Sequence, residues 1–468
     1  MRSHRALLLS SLPIILFAAG CASVPRDAGF GDVHATVMAR TGADLKWTRD
    51  QAAAEIDAEV RNLLAGELTA DRAVAIALLN NRELQATLEE LGVAQADLLA
   101  AGLLRNPILG GEVRFPATVV RPFEITVAQP VLEIFLLPLR KRVATSAFEA
   151  AKFRVTDAVL SLESDTRAAF FRVQAAEQAL ASAHTLAETA ETAAALAGRQ
   201  QEAGNVTDLD LATERVLTEQ SKLDVVQSQI ELTGAREELN RDMGLESQGI
   251  DWKVAAQLPN LPATDPPLPG LEAAAVERRQ DLAALRRDVE AAARALPLTR
   301  TSAIEEAQVG AHRERDAEGG TSTGPSASVS VPIFNWGQAT RRRAEARYRQ
   351  ATDRYQARTA QVESEVREAW GRLMATRQET ELYRDALVPL SRSVVKLTQT
   401  SYNAMQVGVF QLLQAKRDEV RAERGAVDAL RDYWMARARL ERAIAARLPA
   451  EPASSHEPSA DHSPGGAS

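Results

Sequence analysis

The chain has 468 residues, of which 45% are hydrophobic, only 4% are aromatic and one is a cysteine. Its formal net charge of −8 and sequence pI of ≈ 5.5 exclude the basic surface that a nucleic-acid partner would need. With one cysteine, no disulfide can form within the chain, so packing alone must hold it together.

The N-terminus has the composition of an export signal over residues 1–20. A positively charged start is followed by an apolar run that is too short to span a bilayer. Small residues precede Cys21, in an arrangement that resembles a bacterial lipobox, although Ala18 stands where Leu is usual. This predicts lipidation of Cys21, and Ala22 in place of an Asp favours the outer membrane. The alternative is an ordinary cleaved signal with an incidental cysteine. Beyond the signal, no apolar run approaches the length of a membrane-spanning helix.

The chain repeats itself at a spacing of about 200 residues, far longer than the unit of a solenoid. The segment "LESDTRAAFFRVQAA", which starts at Leu162, aligns with "VESEVREAWGRLMAT", which starts at Val362. Among the identities, Arg172 recurs as Arg372. The sequence therefore predicts two structural halves of common origin.

Each half contains the same succession of predicted elements. A helix comes first, two short extended segments form a hairpin, and a very long helical run follows; after a glycine at Gly204 or Gly408, a second long helix completes the half. The predicted ranges are 69–102, 107–130, 140–203 and 207–243 in the first half, and 270–296, 304–332, 338–405 and 410–447 in the second. The longest helices would reach roughly 90 Å at 1.5 Å per residue.

These patterns divide the chain into six predicted parts. They are the signal peptide (1–20), a lipidated N-terminal segment (21–68), a first repeat (69–243, with long helices over 140–243), an interhalf linker (244–269), a second repeat (270–447, with long helices over 338–447) and a disordered tail rich in Pro, Ser and Gly (448–468).

The last helix of each half carries two apolar seams with a seven-residue spacing on nearly opposite sides. After Gly204 the first seam is Leu209, Val216, Leu223 and Ile230, and the second is Leu211, Val225, Leu232 and Leu239, with Thr218 as its polar member. After Gly408 the seams are Leu413, Val420, Val427 and Trp434, and Ala415, Ala422, Ala429, Ala436 and Ala443. Two opposed seams favour a helix with neighbours on both sides, as in a palisade. A helix buried inside a bundle is the alternative.

The extended segments alternate between apolar and polar residues. In "FEITVA", for example, Phe123, Ile125 and Val127 alternate with polar or small residues. This pattern fits a barrel wall with lipid outside and water inside, and it equally fits a half-buried strand of a soluble sheet. Four strands cannot close a barrel, so a membranous sheet would require several chains, of which three would supply twelve strands.

The motifs that carry a family resemblance occur in the same order in both halves. They are "NNRELQA", "RNPILGGEVRF", "QPVLEIFLLPLRKR", "AGNVTDLDLATERVL", "RRQDLAAL", "VSVPIFNWGQATRR" and "DYWMARARLERAIA". Over about 69–447 the chain resembles the TolC family of outer-membrane channels, and the lipidated Cys21 resembles its heavy-metal efflux members.

The resemblance implies a mainly α fold with a small β part. It implies a homotrimer in which a twelve-stranded outer-membrane β-barrel continues into a twelve-helix periplasmic α-barrel. The chain would be a passive exit duct of a tripartite efflux system for heavy-metal cations or organic toxicants. Its partners would be a periplasmic adaptor, an inner-membrane RND-type transporter and outer-membrane lipid. A type I secretion channel and a lipid-anchored periplasmic coiled-coil protein remain alternatives.

The resemblance also assigns roles at the helix tips. It places Asp210, with Asp208 near it, in an acidic ring that constricts the channel, and puts Gln411 and Gln414 where some members carry carboxylates. The alternative is that both aspartates only favour the start of a helix through its dipole. The residues expected to contact the adaptor are Gly204, Asn205, Val206, Val407, Gly408 and Val409.

The sequence offers no motif for an enzyme, a resident metal or a cofactor. The six histidines are scattered, HExxH is absent, and the glycine-rich "EGGTSTGP" lacks the lysine of a phosphate-binding loop.

Overall fold

A computed structural model describes residues 27–49, 51–115, 121–245, 251–301, 304, 306–316 and 318–449. The fold is mainly helical with a small β part, as predicted. The predicted signal peptide, Cys21 with its predicted lipidation, and the tail from residue 450 lie outside the described residues. None of the described helices is both long enough and apolar enough to cross a bilayer.

The elements follow the order predicted for each half. The helices are α1 (Phe30–Thr41), α2 (Ala53–Leu64), α3 (Ala70–Asn80), α4 (Arg82–Ala101), α5 (Leu132–Glu202), α6 (Asp208–Asp242), α7 (Leu271–Arg278), α8 (Gln280–Ala295), α9 (Gln338–Leu382), α10 (Val388–Asn403) and α11 (Val409–Ile444). The strands are β1 (Glu67–Leu68), β2 (Ile108–Val113), β3 (Phe123–Pro130), β4 (Lys253–Val254), β5 (Ala307–Arg315) and β6 (Thr321–Val329). A 3-10 helix covers Pro297–Thr301, and a π-helical turn covers Tyr383–Leu387.

The chain forms two compact units, and each takes segments from both halves of the sequence. Among the described residues, the first unit takes those within 27–39, 82–159 and 279–361, and the second takes those within 40–81, 160–278 and 362–449. The division into six parts drawn from the sequence stays a prediction.

The long helix α5 begins earlier than the sequence suggests. Its 71 residues start at Leu132 rather than near 140, and Pro138 lies inside its second turn. A proline has no N–H and usually ends a helix in its interior, which is why the sequence favours a later start. Near the beginning of a helix a proline costs less stability, since only a few backbone hydrogen bonds are formed before that position.

The second long run differs from the first by one turn of wider helix. Between α9 and α10, the N–H of Val388 donates to the carbonyl of Tyr383, five residues back, and Pro389 follows. On α11, a Cβ added at Gly425 would lie 2.6 Å from the Tyr383 ring, so only glycine admits this side chain. A π turn is a one-residue insertion into a helix.

That inserted residue shifts the register of the repeat. Arg172 and Arg372 are 200 residues apart, whereas the buried positions of α6 and α11 match at 201. On α6 these positions are Glu214, Thr218, Ser228, Leu232, Ala235 and Leu239, and on α11 they are Ala415, Glu419, Ala429, Tyr433, Ala436 and Leu440. The pairing of Gly204 with Gly408 suggested by the sequence is therefore three residues out of register.

The second unit is held together around a buried carboxylate in the interhalf segment. The side chain of Asp265 is 1% exposed and accepts hydrogen bonds from Arg377 at 2.8 Å, Arg437 at 3.0 Å and the hydroxyl of Tyr433 at 3.0 Å. Burial raises the pKa of Tyr433 to about 12, so its hydroxyl stays a donor. Asp265 thereby fixes the segment against α9 and α11.

Candidate functional site

The first helix tip, between α5 and α6, ends in a Schellman motif. Gly204 has φ +76°, its N–H donates to the carbonyl of Gln201, and the N–H of Asn205 donates to that of Gln200. Left-handed backbone at this position favours glycine. Gly204 and Asn205 are exposed and Val206 is half-buried.

The second tip, between α10 and α11, repeats the motif without glycine. Met405 has φ +58°, its N–H donates to the carbonyl of Tyr402, and the N–H of Gln406 donates to that of Ser401. Met405 is thus the structural counterpart of Gly204, and its side chain is 95% exposed. Gly408, by contrast, has ordinary extended backbone and is the N-cap of α11. An exposed methionine in left-handed backbone is the main departure from the sequence-based picture of the tips.

Asp210 completes a capping box at the start of α6. Its carboxylate accepts hydrogen bonds from the N–H of Thr207 at 3.0 Å and from the hydroxyl of Thr207 at 2.7 Å, and its own N–H donates to the hydroxyl oxygen. These hydrogen bonds hold the pKa of Asp210 below its usual value. Asp208 accepts a bond from Gln201 at 2.9 Å. Both carboxylates are exposed at the tip, and Asp210 stabilises the start of α6 through its hydrogen bonds with Thr207.

The glutamines of the second tip occupy different positions. Gln411 lies three residues after the N-cap Gly408, where Asp210 lies after Thr207, and it is exposed. Gln414 donates to Asp418 at 3.1 Å and accepts from Arg417 at 3.0 Å. Val407 and Val409, the remaining predicted tip residues, are half-buried. Gln411 is therefore the positional counterpart of Asp210.

A buried ion pair near the tips escaped the sequence analysis. Glu214 on α6 and Arg417 on α11 lie 3.2 Å apart, with side chains only 5% and 8% exposed. The available signal was spacing: Glu214 is four residues before the buried Thr218 and seven before the buried Ser221. A charge on a buried heptad seam requires a partner on the facing helix.

The two seams predicted on α6 behave differently. The seam through Thr218, Leu232 and Leu239 is buried against the same chain. The other seam is exposed: Leu209, Val216, Leu223 and Ile230 are 75%, 57%, 60% and 66% accessible. A stretch of α10 also exposes apolar side chains, namely Leu390, Val394 and Leu397. Isolated exposed leucines are ordinary, but a continuous heptad stripe is typical of a helix that packs against another.

The four-stranded antiparallel sheet of the first unit, in the order β2-β3-β5-β6, has one mainly apolar and one polar face. Residues opposite each other in antiparallel strands share a face, and the pairing brings together on the mainly apolar face Leu109, Val113, Phe123, Ile125, Val127, Ala307, Val309, Ala311, Ala327 and Val329. Arg313 and Arg315 join this face at the end next to the turn between β5 and β6, opposite Ile125 and Phe123. Ile125 and Val127, on a central strand, are 47% and 48% exposed. The described residues therefore leave this apolar face uncovered.

The opposite face is lined by charged and hydroxyl side chains. Glu112, Glu124 and Glu314 lie directly opposite one another on three adjacent strands. Like charges so placed repel, and Arg114 offsets this by contacting all three at 2.9, 3.5 and 3.3 Å. His312 and Thr126 share this face. No group of three His, Cys, Asp or Glu residues suited to a metal ion occurs in the described part of the chain.

Both edges of the sheet are open. Within the described ranges β2 pairs only with β3, and β6 pairs only with β5, so each has an unpaired edge. Just beyond β6, Phe334 and Trp336 are 91% and 68% exposed. An exposed sheet edge can pair with a further strand. Exposed aromatic side chains can pack against an apolar surface.

The fold, with its very long helices and small sheet, is similar to solved structures of outer-membrane channels. The chain matches the solved structure of the Campylobacter jejuni CmeC outer membrane channel with a TM-score of 0.71 and 17% identity, over 80% of this chain and 85% of that one. CusC, whose structures concern transmembrane channel formation, matches with a TM-score of 0.68 and 19% identity, over 80% and 91%. The resemblance to the TolC family predicted from the sequence is confirmed at the level of the fold.

At the level of sequence, the chain is similar to the cobalt-zinc-cadmium resistance protein CzcC of Cupriavidus metallidurans. The two are 22% identical over 394 residues, which cover 81% of this chain and 90% of CzcC. No protein-family model matches the chain.

Proposed function

We propose that the chain is the outer-membrane exit duct of a tripartite efflux system and that it conducts its cargo passively. The observation that carries this proposal is the four-stranded sheet, whose mainly apolar face is exposed, with Arg313 and Arg315 at its turn end, while its polar face carries paired charges. A membrane barrel needs lipid-facing apolar side chains that alternate with polar side chains facing water. The aromatic residues Phe334 and Trp336 beyond the sheet suit the membrane interface.

The functional assembly is a homotrimer. An open sheet edge cannot lie in lipid, so β2 and β6 require partner strands from other copies, and three copies give a closed barrel of twelve strands. The exposed stripe on α6 from Leu209 to Ile230 then meets a helix of the neighbouring copy in a twelve-helix periplasmic barrel.

The mouth of the channel is formed by the helix tips. Asp210, with Asp208 beside it, contributes a negative ring that favours cations, and Gln411 leaves the second tip uncharged. The tip segments from Gly204 to Val206 and from Val407 to Val409 contact a periplasmic adaptor. Met405 adds a fully exposed apolar side chain to this contact surface.

The cargo is heavy-metal cations or organic toxicants, delivered by an RND-type transporter of the inner membrane. The name of CzcC, a cobalt-zinc-cadmium resistance protein, supports metal cations. The chain has no catalytic role, since a passive duct draws its energy from the inner-membrane partner. Lipidation of Cys21, outside the described residues, supplies an additional anchor in the outer membrane.

Assembly and conductance together test this proposal. Purified full-length protein should run as a heat-resistant trimer and give discrete single-channel currents in planar bilayers. A monomeric product without conductance would contradict it and would favour a periplasmic coiled-coil protein.

A further inference from the structure

A cavity of about 620 Å³ opens between α5, α6, α9 and α11 in the second unit. Its floor is made of small residues, including Ala175, Ala179 and Gly234, and its walls are almost entirely charged. The small residues of α5 and α6 leave room for a molecule of several heavy atoms.

Each carboxylate on the walls has an arginine partner. Glu238 pairs with Arg172, whereas Asp428 and Asp432 share Arg431, at 2.7 Å and 2.9 Å. The fourth, Glu231, lies 4.0 Å from Arg424. The acidic residues of the cavity are therefore already engaged by arginines other than Arg372 and Arg439.

Two guanidinium groups on the walls have no such partner. Arg372 on α9 and Arg439 on α11 line the cavity, and neither guanidinium group makes an ion pair or a hydrogen bond within the described part of the chain. Burial raises the pKa of Asp165 overall. The charge of Arg439 opposes this effect only in part. Arg372 and Arg439 thus supply two unpaired guanidinium groups to a lining whose carboxylates are paired with other arginines.

The internal repeat explains how this imbalance arose. Arg372 is the counterpart of Arg172, and at the spacing of 201 residues that relates α11 to α6, Arg439 is the counterpart of Glu238. The first repeat therefore has an Arg–Glu ion pair where the second has two arginines. Two like charges facing one cavity repel each other unless an anion lies between them.

We propose that this cavity binds a small organic oxyanion, which Arg372 and Arg439 hold by its carboxylate or phosphate groups. Guanidinium forks match such groups in a bidentate manner. The alanine floor and Met435 accommodate the carbon skeleton. This inference stands independently of the export function, because it concerns a binding site within one chain.

The test uses citrate as the probe, with isothermal titration of the full-length protein in detergent at constant ionic strength. The wild type should bind citrate saturably. Arg372→Gln and Arg439→Gln should each raise the Kd about tenfold or more, as expected for a lost hydrogen bond to a charged group. Both side chains are exposed, so neither change should unfold the protein.

The sharpest variant is Arg439→Glu, which recreates in the second repeat the ion pair of the first. It should abolish citrate binding while leaving the thermal unfolding midpoint equal to or above that of the wild type. Arg215→Gln, an exposed change on α6 outside the cavity, is the matched control and should bind normally. The proposal is overturned if the wild type shows no saturable binding, or if Arg439→Glu binds citrate as well as the wild type.

Discussion

Asp210 combines two roles at the scale of a single residue, because the carboxylate that caps α6 also carries the charge of the proposed ring. Asn keeps an acceptor oxygen for Thr207 and removes the charge, so Asp210→Asn should lower cation selectivity with little effect on stability. Asp210→Ala should lower both, with the lost cap costing about 1 kcal/mol. Reversal potentials across a salt gradient measure the selectivity. Unchanged selectivity in Asp210→Asn would remove Asp210 from the constriction.

Met405 and Gly204 occupy the same left-handed position at the two tips, so they offer a reciprocal pair of substitutions. Met405→Gly should stabilise the protein, since left-handed backbone costs a residue with a Cβ about 1 kcal/mol, and Gly204→Met should destabilise it by a similar amount. Thermal unfolding measures both. If Met405 contacts the adaptor, Met405→Gly should also weaken adaptor binding despite the gain in stability. Equal binding by the two proteins would exclude that contact.

Asp242, the last residue of α6, gives the second unit a pH-dependent stability. Burial, together with the charges of Asp165 and Glu238, raises its pKa to about 6. The folded state therefore binds a proton more tightly than the unfolded state, so stability is lost as pH rises from about 4 to about 6. Asp242→Asn should be more stable than the wild type at pH 8 by roughly 1 kcal/mol after allowance for solvent screening, and equal to it near pH 4.

The midpoint of guanidinium unfolding at the two pH values measures the effect of Asp242→Asn. Asp385→Asn is the control of opposite sign, because the hydrogen bond from Arg384 lowers the pKa of Asp385 below its usual value. The stability of Asp385→Asn at pH 8 should not exceed that of the wild type. A gain in Asp385→Asn matching that of Asp242→Asn would show that the effect arises from net charge alone.

At the scale of elements, the two faces of β3 can be separated by adjacent substitutions. Val127 lies on the mainly apolar face, opposite Leu109 and Ala311, and Thr126 lies on the polar face. An arginine on the lipid side of a membrane strand costs about 2–4 kcal/mol near the bilayer centre, whereas the water-filled side tolerates it. Val127→Arg should therefore reduce the amount of trimer in isolated outer membranes, and Thr126→Arg should not. Equal amounts for both variants would show that the sheet does not face lipid.

The strands were predictable because alternation has a period of two, so a single sequence assigns every residue of β3 and β5 to a face. The packing of the helices was less predictable. Two heptad seams on α6 are visible in the sequence, but which one the chain buries depends on residues of α5 and α11 that are distant in sequence. The one-residue shift between repeats was also hidden, because the π turn at Tyr383–Leu387 has no signature in composition. The Glu214–Arg417 ion pair could not be predicted either, because it depends on the register of α11 against α6.

At the scale of the whole molecule, the exposed seam of α6 separates a trimer from a single chain. Leu223 lies in the middle of this seam and is 60% exposed in one chain. An aspartate there costs an isolated chain little, but in an interface it buries an unpaired charge. Leu223→Asp should thus dissociate the trimer without unfolding the protomer, and Gln229→Asp, an exposed change off the seam on the same helix, should leave it intact. Light scattering in detergent measures the mass, and circular dichroism measures the helix content. A Leu223→Asp protein that remains fully trimeric would place this seam in the channel lumen, where the pore surface would then be apolar along α6.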